Sequence, residues 1–167
     1  MKAVLQRAAG ASVTVDGTVI GKIGTGPGDF TDGGKGLVVL LGVEQGDTDK
    51  DSEFLAQKTV DLRIFADAEG KMNLSIAEVG GTVLVISQFT LAADWRKGRR
   101  PGFTRAAAPQ EGERLYEHFV AQLRARGMKV ETGSFGADMK VALVNDGPVT
   151  LLLENQFATM SAQRGQA

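Results

Sequence analysis

Two stretches of the chain carry side chains that could do chemistry. The first, residues 87–104, reads SQFTLAADWRKGRRPGFT. It opens where a short apolar run, Val83 to Ile86, gives out, and such a run suits a buried strand. Ser87, Gln88 and Thr90 place hydroxyl and amide groups where that strand leaves the core, with Phe89 among them. Arg96, Lys97, Arg99 and Arg100 follow as a dense basic cluster. Neutral polar groups at a strand end, beside a patch that attracts phosphate, point to an uncharged reaction centre next to a polyanion site. A short charge run is also what an ordinary solvated loop looks like. The second stretch is Asn145-Asp146-Gly147-Pro148-Val149-Thr150. Proline cannot donate a ladder bond, so inside a sheet it marks an edge or a bulge, and X-Pro is where cis peptides occur.

Several chemistries are excluded by what the chain lacks. It has one histidine, His118, and no cysteine. Cys-His catalysis, disulfides, thiolate metal sites and two-histidine zinc sites are therefore impossible. His118 is expected on the exposed side of its helix, away from Leu115, Phe119 and Leu123, where it serves no Ser-His-Asp triad. Asp61, Asp67, Asp94, Asp138 and Asp146 show no ligand spacing, so neither a metal nor another cofactor is expected.

A bond that is already activated can be cleaved without such groups. Positioning is worth up to ~7–11 kcal/mol. A donor aimed at the developing oxyanion adds about 2.7–4 kcal/mol. Thr90 is either a nucleophile or a hydrogen-bonding wall of the pocket, and the second is preferred because no base stands near it in sequence.

The elements that must hold these residues can be read in outline. At 167 residues, 43% hydrophobic and 23% charged, one soluble domain is expected. The start of the chain has no apolar leader and no run is long enough to span a membrane, which suggests a cytoplasmic protein. A net charge of −1 means any nucleic-acid site must be a local patch. Strands are expected at 3–7 and 12–15, the latter turning at Asp16-Gly17, a hairpin signal. A Gly-rich loop follows, then a buried strand at 36–43. Thr48 with Asp51 caps a helix whose inward face holds Phe54, Leu55, Thr59 and Leu62. Pro109 starts a second helix and Gly127 stops it. Three closing strands are expected at 130–132, 139–144 and 149–153, with a frayed tail over 155–167.

SQFTL with RKGRRPGFT, and later NDGPVT, resemble the D-aminoacyl-tRNA deacylases; MKAVLQRA, RIF followed by KMNLS, and TGSFGADMKV are similar to them too. The resemblance covers roughly 1–154 and makes residues 25–35 an insertion. It implies an α/β domain of two packed, barrel-like sheets with two main helices on one side, assembled as a homodimer. It implies hydrolysis of the ester of D-aminoacyl-tRNA at a backbone-built pocket around Ser87, Gln88, Phe89 and Thr90, helped by a ribose hydroxyl of the RNA. It leaves glycyl-tRNA open as a second substrate. Gly147-Pro148 would be cis and would enter the partner's pocket, where its carbonyls grip the α-amino group and leave no room for an L side chain. Arg7 would brace that loop, with Asn145, Val149 and Thr150 beside it, and Met139 would line the pocket. Arg96, Lys97, Arg99 and Arg100 would meet tRNA. The chain departs from the family pattern at Ala92, where an aromatic is usual. Two other functions compete: a non-catalytic RNA-binding module, disfavoured by a lack of interleaved aromatics, and a different esterase on the same scaffold.

Overall fold

A computed structural model describes residues 1–24 and 35–155. The expected insertion lies outside these residues apart from Lys35, and the expected tail apart from Asn155. Asn155 is not frayed. Its N–H donates to the Met1 carbonyl at 3.1 Å, and its side-chain amide donates to Asp51.

One curved sheet of six strands organises the chain. Strand β1 (Lys2–Val15) is its longest internal element and replaces the two short strands expected there. Its first half pairs with β3 (Gly36–Gly42) and its second half with β2 (Thr18–Ile23), both antiparallel. The β1–β2 turn has the expected form, with Asp16 at φ 48° and Gly17 at φ 78°. Beyond β3, strands β6 (Thr82–Ser87) and β7 (Lys129–Thr132) continue in parallel. Strand β8 (Lys140–Glu154) runs antiparallel along almost the whole of β1.

This corrects the expected two packed sheets. A single sheet bends at irregularities in β1, between Gln6 and Gly10, until β2 overlies β7. Only a glycine at position 21 permits that approach, because a Cβ there would lie 2.6 Å from the Thr132 carbonyl oxygen. A separate ribbon pairs β4 (Phe65–Ala66) with β5 (Met72–Leu74).

Strands β3 and β6 are buried on both faces, which is why they read as unbroken apolar runs. Val38, Leu84 and Ile86 fill the concave side with Ala8, Ala11, Val13 and Ile23. Leu37, Val39, Leu41, Val83 and Val85 face the other way, onto helices α1 (Asp49–Asp61) and α2 (Pro109–Ala125). Both helices thus lie on one side, as expected. Leu115, Phe119 and Leu123 of α2 are fully buried, each worth roughly 1.5–3 kcal/mol of apolar burial. In α1 the Asp51 carboxylate accepts from the Thr48 N–H and hydroxyl, both at 2.7 Å, completing the expected cap. The buried face of α1 is Ser52, Leu55, Ala56, Thr59 and Val60. Phe54, expected inside, is on the surface.

Candidate active site

Strand β6 ends at Ser87, and the chain turns at once into a 3₁₀ turn, Phe89–Ala92. The Gln88 N–H donates to the Leu41 carbonyl at 2.7 Å, tying the turn to β3. Gly42 makes room for it, since a Cβ there would lie 2.9 Å from both the Gln88 oxygen and the Leu91 Cβ. The first N–H groups of such a turn have no partner inside it, which leaves those of Phe89 and Thr90 unused by the turn itself. The Thr90 hydroxyl accepts a hydrogen bond from the Gln88 side-chain amide. Ala92 is 1% exposed, so the position where the family carries an aromatic is here packed inside the protein.

This strand end sits at the carboxyl edge of the parallel strands, where open α/β sheets form their crevices. Two cavities meet there. The first, of about 270 Å³, is lined by Ser87, Gln88 and Phe89 with Ala107, Tyr116 and Phe135, and is almost wholly apolar. The second, of about 240 Å³, shares Ser87, Gln88 and Phe89 and adds Met139 and Asp138. Phe89 is 58% exposed, so it belongs to the cavity mouths and not to the core. Its ring meets Phe103 edge-on at 5.1 Å. The Tyr116 hydroxyl donates to the Val85 carbonyl at 2.9 Å, and burial pushes its pKa up to about 12. Asp138 is paired with Lys140 at 2.8 Å and is otherwise open to solvent.

The second stretch is built differently. Strand β8 pairs Asn145 with Ala8 and resumes at Thr150 opposite Gln6, so residues 146–149 bulge out opposite Arg7 alone. The two expected strands are therefore one strand carrying a four-residue excursion. The Asn145 amide donates to the Thr150 hydroxyl at 2.8 Å, and its carbonyl oxygen accepts from the Val149 N–H at 3.1 Å, closing the base. The Gly147-Pro148 peptide is cis. Arg7 braces the excursion: its Nε donates to the Asp146 carbonyl at 3.2 Å and meets the Asp146 carboxylate at 3.0 Å. Its Nη1 donates to the Ile64 carbonyl at 2.7 Å, and its guanidinium lies 6.0 Å over the Phe65 ring. Gly147 has φ +120°, and a Cβ there would stand 2.8 Å from the Arg7 Nη2 and the Val149 Cγ2.

The residues singled out in sequence thus form two groups: Ser87, Gln88, Phe89 and Met139 line the cavities, with Thr90 outside their lining and bonded to Gln88, and Arg7, Asn145, Val149 and Thr150 surround Gly147-Pro148. No hydrogen bond joins the groups among the described residues.

The basic loop has a structure the sequence did not disclose. Asp94 and Gly102 exchange backbone hydrogen bonds at 2.8 and 2.9 Å, which pins its base. The Arg96 guanidinium grips the Asp94 carboxylate with two nitrogens, at 2.9 and 3.0 Å, and lowers its pKa to about 2. Lys97, Arg99 and Arg100 are exposed. Trp95 stands among them at 73% exposure. The expected lack of interleaved aromatics therefore does not hold, and a lone tryptophan next to four cations was the missed signal.

His118 also needs correcting. It is half-buried in the seam between the helices, its Nδ1 3.0 Å from the Ser52 hydroxyl and its Nε2 3.4 Å from the Gln122 amide.

A family model described as D-Tyr-tRNA(Tyr) deacylase matches residues 4–154. Curated D-aminoacyl-tRNA deacylases of Yersinia pestis (strain Pestoides F) and Yersinia pseudotuberculosis (serotype O:1b, strain IP 31758) are each 55% identical over 154 residues, 92% of this chain and 99% of theirs. A solved structure described as "c-Myc DNA Unwinding Element Binding Protein" is 40% identical with a TM-score of 0.82, covering 93% of this chain and 99% of that one. Another, described as a probable eukaryotic D-amino acid tRNA deacylase, is 19% identical with a TM-score of 0.71 over 91% of this chain and 97% of that one, and shares the fold.

Proposed function

The chain belongs to the D-Tyr-tRNA(Tyr) deacylase family, and from that premise we propose that it hydrolyses D-aminoacyl-tRNA with main-chain groups and without an acid or base side chain. The observation that carries this mechanism is the occupation of Thr90. Its hydroxyl accepts from the Gln88 amide, a group that cannot remove its proton. The one histidine is engaged between the helices, and Asp138, the carboxylate on the second cavity, is held by Lys140. The N–H groups of Phe89 and Thr90 are then the natural donors to the oxyanion that forms as the ester carbonyl is attacked. The attacking water would be oriented by the neighbouring ribose hydroxyl of the substrate, so the protein's share is positioning. Ser87, Gln88 and Met139 shape the pocket around the aminoacyl group.

The chiral filter is the excursion at Gly147-Pro148. In a homodimer this loop enters the partner's cavity, where its carbonyls accept from the substrate's α-ammonium and an L side chain would collide with the loop. Support comes from two features. The loop stands out from its own protomer, with Asp146, Gly147 and Pro148 exposed. Strand β8 also carries exposed apolar side chains, Val141, Val144 and Leu152, at 37%, 37% and 61% exposure, that a second copy could cover. Arg99, Arg100 and Lys97 meet phosphates. None of the described helices is long and apolar enough to cross a membrane, and a cytoplasmic place suits a tRNA substrate.

Release of tyrosine from D-tyrosyl-tRNA and L-tyrosyl-tRNA tests the reading. D-selective release is expected. Binding without release would make the chain an RNA-binding module, and hydrolysis that ignores the tRNA would make it a general esterase.

A further inference from the structure

The basic loop contains three kinds of residue with separate tasks, and one task is unassigned. Arg96 is spent on Asp94 and stiffens the loop from within. Lys97, Arg99 and Arg100 remain as exposed cations. Between the two members of that brace stands Trp95, 73% exposed, a cost in apolar surface that the fold does not require. The paired residues Asp94 and Gly102 fix both sides of the loop base, so Trp95 and Phe103 each sit one residue from an anchored position. Phe103 contacts Phe89, and Phe89 lines both cavities. Exposed aromatic surface thus stands at the cavity mouth, on Phe89, and again among the cations, on Trp95.

The geometry points to Trp95 as a stacking platform for an unpaired base of the RNA substrate, one near the 3′ end and outside the cavities. The ligand chemistry is that of single-stranded nucleic acid: a flat base for the indole face and phosphates for Lys97, Arg99 and Arg100. A tRNA supplies this as the unpaired strand that carries the amino acid, so the inference rests on the function proposed above.

Trp95 is the only tryptophan in the chain, which makes its fluorescence a direct report. Wild-type protein is titrated with a synthetic RNA hairpin bearing a short unpaired 3′ strand, and with the same hairpin cut blunt. The overhang should quench the indole emission and the blunt hairpin should not. Trp95→Ala should weaken binding of the overhang hairpin about 5- to 150-fold, and Trp95→Phe should restore most of it. In hydrolysis of D-tyrosyl-tRNA, Trp95→Ala should raise KM more than it lowers kcat. Equal quenching by both hairpins, or unchanged binding by Trp95→Ala, overturns the assignment. If wild-type protein hydrolyses D-tyrosyl-tRNA but shows no quenching, only this inference fails. If it hydrolyses nothing, the proposed function fails, whatever the indole reports.

Discussion

The strand end at 87–90 and the excursion at 145–150 are held by opposite means. The first is fixed from beneath. It hangs on the core through the Gln88 N–H to Leu41, a buried Ala92 and a bare Gly42. Its side chains decorate a backbone whose course the core has already set. The second leaves the ladder and is held from the side by Arg7, Asn145 and Thr150. A backbone-built pocket needs both: donors that do not move, and a wall that can be presented to another protomer. The first region should therefore tolerate loss of a side chain but not of its backbone space, whereas the second should fail when the room around its side-chain lashings changes.

The largest effect is expected at Gly147. An alanine Cβ meets Arg7 and Val149 at 2.8 Å and must adopt φ +120°. Displacing the loop by about 1 Å should cost on the order of 10²-fold in kcat/KM on D-tyrosyl-tRNA. The rest of the fold should persist, which far-UV circular dichroism checks. An active Gly147→Ala enzyme would break the contrast.

The first region gives the next test. Thr90→Val removes the hydroxyl but keeps the shape and should reduce kcat by about tenfold, well short of the 10⁴ or more that losing a nucleophile costs. Gly42→Ala, which touches no substrate, presses on the Gln88 oxygen and the Leu91 Cβ and should do more damage than Thr90→Val. The reverse order in single-turnover rates would make Thr90 chemical after all.

Much of this contrast was legible in the sequence. An apolar run gives out at Ser87, and Asn145 and Thr150 flank Gly-Pro at the positions that close the excursion, whereas the room left at Gly42 had no such signal. The helices were legible because Pro109, Gly127 and the Thr48–Asp51 pair act locally. What stayed hidden was non-local. That β1 bends, and that β8 is one strand, depend on pairings across more than a hundred residues. Arg7 reaching Ile64, 57 residues away, likewise has no sequence signal, and its grip on Asp146, 139 residues away, was legible only through the family resemblance. Phe54 and His118 were misplaced because helical periodicity does not say which neighbour a face will meet.

A smaller effect separates the cations. Replacing Arg99 and Arg100 with alanine should flatten the dependence of log K on log salt by roughly 0.7–0.9 for each phosphate no longer neutralised. Arg96→Ala should flatten it less, because that guanidinium is already held by Asp94. Filter binding across a salt series measures both slopes, and equal slopes would return Arg96 to the phosphate-binding set.

The smallest effect is a pH dependence beneath the first cavity. The folded pKa of Tyr116 is raised to about 12 by burial, against about 10 for a free tyrosine. Its contribution to stability is whole below about pH 10 and is lost as pH rises towards 12. Denaturant midpoints should fall across that window in wild-type protein and fall less in Tyr116→Phe. A parallel decline in both would assign the loss to other groups. Asp94 works in the opposite sense, with its pKa lowered to about 2 by Arg96. Its ion pair weakens only as pH falls from about 4 through 2, so RNA affinity should show no contribution from it at neutral pH.

Complementation between two inactive protomers tests the central claim most directly. Gly147→Ala disables the loop, and Ser87→Trp plugs both cavities that Ser87 lines. Co-expressed in equal amounts, the two chains should form mixed two-fold dimers in which one intact cavity faces one intact loop. D-tyrosyl-tRNA hydrolysis should then recover to about a quarter of the wild-type rate. No recovery, from mixed dimers shown to have formed, would mean that the loop serves its own protomer and would contradict the account.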